Sequence, residues 1–284
     1  MFNLKLTILA FLVSILFLSF VSDTVLAQVG NVVSISTTTC NSGSSFNAGD
    51  CTATPDSWKT SIYEMGLCSK HPFDASKLGS SFDRSSCVIT YSDTNPNPVD
   101  VAQNISGAAV PLPGTSFAPS SGSYGFPYII MSSSFETSAT FTNTVDTYYS
   151  TTNCKVSTSE SDSGECTDLL VNFSFSNDLT ECASGYIGAS VLGGTMDGFV
   201  TNVGLTRSPQ SGGANAGSCV NSGRVIGVMN LSAPVTITSQ TISVIFNFVL
   251  TGYGSQFSED TGDGVADEYG SGPFSGYFVV TNLN

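Results

Sequence analysis

The chain has 284 residues, with 8 Lys and Arg against 22 Asp and Glu, and a formal net charge of −14. A nucleic-acid-binding protein needs a basic face to displace counterions, so this charge balance excludes nucleic acid as a partner. The scarcity of Lys, Arg and Glu excludes a coiled coil, and 40% hydrophobic with 11% aromatic residues excludes a disordered chain. The composition indicates an acidic, β-rich globular protein.

The first 27 residues have the features of a secretory signal peptide. Lys5 supplies the positive start, residues 6–21 are largely apolar, and residues 25–27 place small side chains at a cleavage position. We expect cleavage before Gln28 and a mature protein that is secreted to the extracellular space or cell surface, with the periplasm as the alternative. An uncleaved membrane anchor stays open as a second interpretation. No later stretch is long and apolar enough to predict a membrane span after cleavage.

Short strands separated by turns are predicted along the rest of the chain. Alternating apolar and polar residues or β-branched runs mark the strands, and Pro, Gly, Asn and Asp mark the turns. In chain order the predicted strands are 32–39, 58–67, 87–91, 128–131, 139–149, 168–175, 186–192, 199–205, 225–231, 235–238, 242–251 and 274–281. One short turn of helix is predicted at 74–78.

Three of these strands carry more specific predictions. Strands 128–131 and 139–149 are predicted to form the two arms of a hairpin. The run 243–250 is apolar on both faces for most of its length, which predicts a central strand buried on both sides. Many short strands at this spacing predict an all-β fold, an antiparallel β-sandwich of the jelly-roll or Ig-like kind.

A stretch at 93–127 is poor in charge and rich in Pro, Gly and Ser, which is typical of a boundary. It separates an N-terminal Cys-rich β region at 28–110 from a C-terminal β-sandwich region at 111–284. Either two β subdomains or one sandwich with a long connection fits a chain of this length.

The eight cysteines all follow the predicted cleavage position. An even number of cysteines in a secreted chain indicates disulfides, and the absence of CxxC-type pairs argues against zinc. Eight cysteines allow 105 pairings, among which the sequence does not choose. We predict pairing in sequence order, which staples the sandwich. The predicted bridges are Cys40–Cys51, Cys68–Cys87, Cys154–Cys166 and Cys182–Cys219.

The acidic loop EDTGDGVADE at 259–268 is the strongest candidate for a metal site. Calcium needs several hard oxygen ligands and a Gly where the chain turns sharply. Glu259, Asp263 and Asp267 are the candidate ligands, and the second half of the loop resembles thrombospondin-type calcium repeats. The first half departs from that pattern, and Gly270 stands where an EF-hand would have Glu. The alternative is a solvated turn with Asp-Gly at its tip.

No catalytic residue is predicted. His71 is the only histidine, so a Ser-His-Asp or Cys-His enzyme would have to use it, and neither a G-x-S-x-G nor an H-E-x-x-H motif accompanies it. We interpret His71 as part of a surface loop. A glycosidase needs only two carboxylates, and Glu64 and Glu136 lie in or beside predicted strands, so a polysaccharide hydrolase stays open.

Aromatic side chains in or near the strands offer surfaces on which sugar rings could stack, with core packing as the alternative role. They are Trp58, Tyr148, Tyr149, Tyr253, Tyr269 and Tyr277.

Two segments carry a resemblance to known proteins. YEMGLC at 63–68 and SCVIT at 86–90 resemble segments of uncharacterised secreted proteins of marine bacteria. The resemblance implies a bacterial source and a Cys68–Cys87 bridge, and it implies no activity.

The first functional hypothesis is a secreted, non-catalytic structural or adhesive surface protein that assembles with other copies of itself, as a fibre or surface-layer subunit. Low charge on strand faces leaves sheet edges poorly guarded, and residues 28–39 could add to a neighbouring sheet. The alternatives are a module that binds an extracellular glycan, with or without calcium, and a polysaccharide-acting hydrolase.

Overall fold

The computed structural model describes residues 26–29, 38–41, 43, 50–73, 81–104, 110–170, 186–207, 222–259 and 261–282. In these ranges the chain is all-β and mostly antiparallel, with two short 3-10 turns at Ala102–Asn104 and Glu160–Asp162. The predicted all-β, sandwich-like fold is confirmed. The same ranges contain no helix whose length and apolarity would let it cross a membrane.

The strands are numbered in chain order. The first twelve are β1 (Leu26–Val29), β2 (Cys51–Ala53), β3 (Ser57–Thr60), β4 (Ile62–Cys68), β5 (Cys87–Ser92), β6 (Val99–Asp100), β7 (Val110–Pro111), β8 (Thr115–Ser116), β9 (Gly122–Tyr124), β10 (Phe126–Ser132), β11 (Ser134–Ser138) and β12 (Thr140–Thr142). The others are β13 (Thr147–Ser150), β14 (Val156–Ser157), β15 (Cys166–Leu169), β16 (Tyr186–Val191), β17 (Gly194–Thr201), β18 (Arg224–Leu231), β19 (Val235–Ile237), β20 (Thr241–Val249), β21 (Ser255–Ser258), β22 (Glu268–Ser271) and β23 (Ser275–Asn282).

The centre of the fold is a seven-stranded sheet with the order β16-β17-β18-β10-β4-β5-β8. Strand β10 lies between β4 and β18 and is antiparallel to both. Because side chains alternate between the two faces of a strand, Ile129 and Met131 enter one hydrophobic cluster while Tyr128 and Ile130 enter another. Both faces of this sheet are therefore buried.

A four-stranded sheet packs on one face of the seven-stranded sheet. Its order is β23-β20-β1-β7, and β1 is parallel to β20 while the other pairs are antiparallel. Phe246, Phe248 and Phe278 from this sheet share the largest core cluster with Met65 and Ile129 of the seven-stranded sheet. Strand β20 lies inside its sheet, which confirms the prediction of a central strand.

Residues from both predicted regions meet around Trp58, which is fully buried. Its ring centroid lies 4.8 Å from that of Phe135, 5.6 Å from that of Phe248 and 4.9 Å from that of Phe274. Strands β4 and β5 also pair within one sheet with strands that follow residue 111. The predicted boundary at residue 110 therefore falls between strands that share one core.

The predicted hairpin between 128–131 and 139–149 is wrong. Strand β10 pairs with β4 and β18, whereas the hairpin forms between β12 and β13. The reason is burial, since every residue from Pro127 to Met131 is buried and β10 needs a neighbouring strand on each side. After Ser133 the chain leaves this sheet, and β11 pairs with β3 and β15 in another.

A smaller difference concerns one predicted strand, and two further predictions are not covered by the structure. The predicted strand 58–67 forms two strands, β3 and β4. They are separated by Ser61 and belong to different sheets. The backbone oxygen of Ser61 accepts a hydrogen bond from the N–H of Ser132 at 2.8 Å. Most of the predicted strand 32–39 and all of the predicted helical turn 74–78 lie outside the described residues.

Three disulfides have the predicted pairing in sequence order. They are Cys40–Cys51, Cys68–Cys87 and Cys154–Cys166. Cys68 and Cys87 are directly opposite each other on β4 and β5, so this bridge joins two neighbouring strands. Cys182 and Cys219 lie outside the described residues.

A buried cluster of three hydroxyl groups lies between β11, β21 and β22. The hydroxyl of Tyr269 is 2.9 Å from Oγ1 of Thr137 and 2.8 Å from Oγ of Ser255. Burial raises the pKa of Tyr269 to about 12, against the partial opposing effect of these two hydrogen bonds. Burial also raises the pKa of Tyr128, which hydrogen bonds to a carboxylate.

Tyr269 predicts a loss of stability at alkaline pH. The folded state holds the phenol neutral, so its contribution is fully present below the unfolded pKa of about 10 and is lost as the pH rises to about 12. Over that range it lowers the free energy of unfolding by about 2 kcal/mol. Denaturant unfolding of wild type and Tyr269→Phe at pH 9 and pH 12 measures this, because the variant lacks the titrating group. Two proteins with the same alkaline loss would contradict the assignment.

Candidate functional sites

The four-stranded sheet β23-β20-β1-β7 contains no charged residue. We call it the uncharged sheet. Its strands read SGYFVVTN, TISVIFNFV, LAQV and VP. In a chain with 22 acidic residues and a net charge of −14, this sheet is an uncharged part of a strongly negative protein. Neutral strands are poorly protected against pairing with another chain.

Among the residues that the structure describes, each of the two large sheets ends in one long strand and one short strand. The uncharged sheet ends in β23, which has eight residues, and in β7, which has two and contains Pro111. The seven-stranded sheet ends in β16, which has six residues, and in β8, which has two. The two long terminal strands are neighbours, since β23 contacts β16 and β17. Both long edges therefore lie on the same side of the molecule.

The outer face of the uncharged sheet is partly exposed next to β23. Val279 pairs with Ile245, and Thr281 pairs with Ser243, so these four side chains lie together on one face. Val279 has 39% of its surface exposed and Thr281 is exposed, whereas the alternate residue Phe278 is buried in the core. The exposed face beside the terminal strand is thus small, neutral and partly apolar.

The predicted signal-peptide cleavage position lies inside β1. In this strand Leu26 and Ala27 pair with both β20 and β7, whereas Gln28 and Val29 pair with β20 alone. Cleavage before Gln28 would remove the two residues that connect β20 with β7. A mature chain cleaved there would expose backbone groups of both strands at this position.

The predicted acidic loop is a hydrogen-bonded turn. Oε1 of Glu259 accepts hydrogen bonds from the backbone N–H groups of Gly262 and Asp263. Oδ1 of Asp263 accepts one from the N–H of Val265 at 2.9 Å. Gly262 turns the chain with a φ of 81°, in the left-handed region that favours glycine.

Asp267, the third candidate calcium ligand, lies directly before β22. Its backbone N–H donates to the oxygen of Ser258 at 3.0 Å, and its own oxygen accepts from the N–H of Val156 at 3.1 Å. The described residues include no group of three or more His, Cys, Asp or Glu side chains that could hold a metal ion. The calcium site stays a prediction. In the turn, the side-chain oxygens of Glu259 and Asp263 accept hydrogen bonds from backbone N–H groups.

His71 lies in a loop, and its side chain is partly buried against an acidic residue. Its side chain is 20% exposed, and Nε2 lies 3.1 Å from Oδ2 of the buried Asp197. The same carboxylate oxygen accepts a hydrogen bond from Nδ2 of Asn230 at 2.8 Å. The ring lies edge-on to Phe126 and Phe199. Sequence patterns could not find this pair, because 126 residues separate its members.

The two carboxylates named for hydrolysis lie in different sheets. Glu64 on β4 accepts two hydrogen bonds from Arg84, at 2.9 and 3.1 Å, and one from the hydroxyl of Tyr128 at 2.7 Å. Glu136 on β11 lies opposite Lys59 on β3. Glu64 is therefore paired with Arg84, whereas Lys59, which lies opposite Glu136, bonds to Glu165.

A polar concavity of about 230 Å³ combines carboxylates, hydroxyls and one aromatic ring. Its lining consists of Asp56, Ser138, Ala139, Thr140, Tyr149, Ser150, Glu160, Ser163, Gly164 and Glu165. Tyr149 is predicted from the sequence as a stacking surface, whereas the other lining residues are not, because the lining comes from four separate segments. Spacing along the chain gives no signal for such a set.

The carboxylates of this concavity differ in their partners. Glu165 bonds to Nζ of Lys59 at 2.6 Å and accepts from Oγ of Ser57 at 2.8 Å. The hydrogen bond from Lys59, followed by that from Ser57, lowers the pKa of Glu165. Asp56 and Glu160 line the same space beside the half-buried Tyr149. Hydroxyl and carboxylate groups next to a ring can hydrogen bond to a sugar and stack on it.

Comparison with protein-family models, curated proteins and solved structures found no match.

Proposed function

We propose that the protein is a secreted, non-catalytic structural or adhesive surface protein that associates with other copies of itself through β23. The observation that carries this proposal is the eight-residue terminal strand of a sheet without charged residues. A strand at the edge of a sheet has backbone donors and acceptors that can extend the ladder into another chain.

The terminal strands differ in length and composition, and this difference supports β23 as the contact surface. Folded proteins block sheet edges with very short strands, with Pro or with charged residues. Strands β7 and β8 are two residues long, and β7 carries Pro111. Strand β23 has neither Pro nor a charged residue, and Val279 on its outer face is exposed. The long edge is therefore the part of the uncharged sheet best suited to pairing.

The charge distribution supports association through the same sheet. Two copies that each carry a net charge of −14 repel each other over most of their surfaces. The uncharged sheet is a surface on which two copies can meet without placing like charges in contact. The three disulfides are typical of an oxidising compartment and accord with secretion, which the predicted signal peptide also favours.

Val279→Lys is expected to weaken association by at least about tenfold, because a lysine on the terminal strand must lose water when a second strand pairs beside it. Sedimentation velocity over a range of concentrations, with electron microscopy of the same samples, measures association. Val145→Lys is the matched control, since Val145 is 78% exposed at the turn between β12 and β13. A wild-type protein that stays monomeric at every concentration would overturn the proposed function.

Glycan binding is a second candidate function, and the polar concavity around Tyr149 is the observation that favours it. Its hydroxyl and carboxylate groups suit a single sugar ring, and the volume of about 230 Å³ is smaller than a typical drug-sized pocket. The acidic loop provides the candidate calcium ligands for a calcium-dependent form of this function.

Tyr149→Ala and Glu160→Gln are expected to weaken binding of any recognised glycan by at least about tenfold, because each removes a stacking surface or a hydrogen-bond acceptor. A glycan array with and without chelator measures this, with Val145→Ala as the control. Loss of binding in chelator and in Asp263→Asn would support the calcium-dependent form. An array with no bound glycan under either condition would overturn this candidate, and release of sugar from bound glycans would favour the hydrolase alternative.

A further inference from the structure

The lengths of the terminal strands limit which sheet edges can join two copies. A growing fibre built by sheet addition needs two different long edges on opposite sides of each molecule. The two large sheets instead place their long edges, β23 and β16, beside each other, and their other edges, β7 and β8, are two-residue strands. Edge pairing on one side only gives a closed assembly.

The composition of β23 suits pairing with an identical strand. When a strand pairs with its own copy about a two-fold axis, the same residues come close to each other from both sides. A charged residue near the axis would then face a like charge, which destabilises a cross-strand pair. Strand β23 reads SGYFVVTN and has no charged residue, so pairing with its own copy places no like charges opposite each other.

The backbone geometry allows a ladder of useful length. An antiparallel pair of eight-residue strands forms about eight backbone hydrogen bonds. The central part of β23 consists of Tyr277, Phe278, Val279 and Val280, and aromatic and β-branched residues are enriched in strands. Pairing also brings the exposed Val279 and Thr281 of each copy toward the same residues of the other copy.

We infer that β23 pairs antiparallel with β23 of a second copy about a two-fold axis, which joins the two uncharged sheets into one continuous sheet. The inference rests on the proposed function and specifies its partner, its surface and its stoichiometry. The assembly is a closed dimer, and any larger fibre or layer needs a further contact outside these edges.

Two oppositely charged variants test this arrangement. Val279→Lys with Thr281→Lys, and Val279→Glu with Thr281→Glu, each place like charges across the two-fold axis. Each variant alone is expected to dimerise at least about tenfold more weakly than wild type. An equal mixture of the two is expected to recover dimers, because each Lys strand then faces a Glu strand. Native mass spectrometry identifies the mixed dimer by mass, and sedimentation velocity measures its affinity.

The control pair carries the same charges away from the sheet edge. Val145 and Val203 are 78% and 70% exposed, and their double Lys and double Glu variants change the net charge equally. These variants are expected to dimerise like wild type when alone and to gain little when mixed. A mixture of controls that gains as much as the β23 variants would show that overall charge drives the recovery, and would overturn the inference.

The other outcomes separate this inference from the proposed function. Weak association of both β23 variants without recovery on mixing would show that β23 contacts a different strand, such as β16, and would overturn the two-fold pairing alone. A wild-type assembly larger than a dimer, if it dissociates in the β23 variants, would also overturn the two-fold pairing alone. A monomeric wild type would overturn both. Circular dichroism verifies folding, and single Thr281→Lys and Thr281→Glu variants replace the doubles if these fail to fold.

Discussion

The burial of strand β10 on both faces is the constraint on which the rest of the fold depends. Tyr128 and Ile130 point into one hydrophobic cluster while Ile129 and Met131 point into another. A strand buried in this way must satisfy its backbone on both edges, because unpaired buried N–H and C=O groups are costly. Pairing with β4 on one side and β18 on the other therefore connects early and late parts of the chain, and the uncharged sheet packs over the face that carries Ile129.

Burial also determines where the few charged side chains lie and which partners they have. Where a carboxylate lies at the edge of the core it has a defined partner, as Glu64 has in Arg84 and Tyr128, and as Asp197 has in His71 and Asn230. The sheet that covers the core has no charge at all. An acidic protein thus keeps a neutral flank, and this contrast, rather than the net charge itself, supports association between copies.

The local pattern of residues was sufficient to predict much of this architecture. Alternation and β-branched runs predicted most of the strands, and the run at 243–250 predicted an internal strand because it was apolar on both faces. Pairing of nearest cysteines succeeded for the three described bridges, since each closes a short loop between adjacent segments. The hairpin predicted at 128–149 was wrong because the pattern of apolar residues indicates that a strand is buried but does not indicate which strand pairs with it.

The sequence by itself determined the all-β class, the presence of disulfides and the shortage of basic residues, because each of these depends on composition or on neighbours close along the chain. Only the tertiary structure decided that His71 meets Asp197, that Tyr149 shares a concavity with Glu160, and that β23 ends an uncharged sheet beside β16. These features join residues far apart in the chain. Their positions follow from how sheets are ordered and packed, which a one-dimensional pattern does not encode.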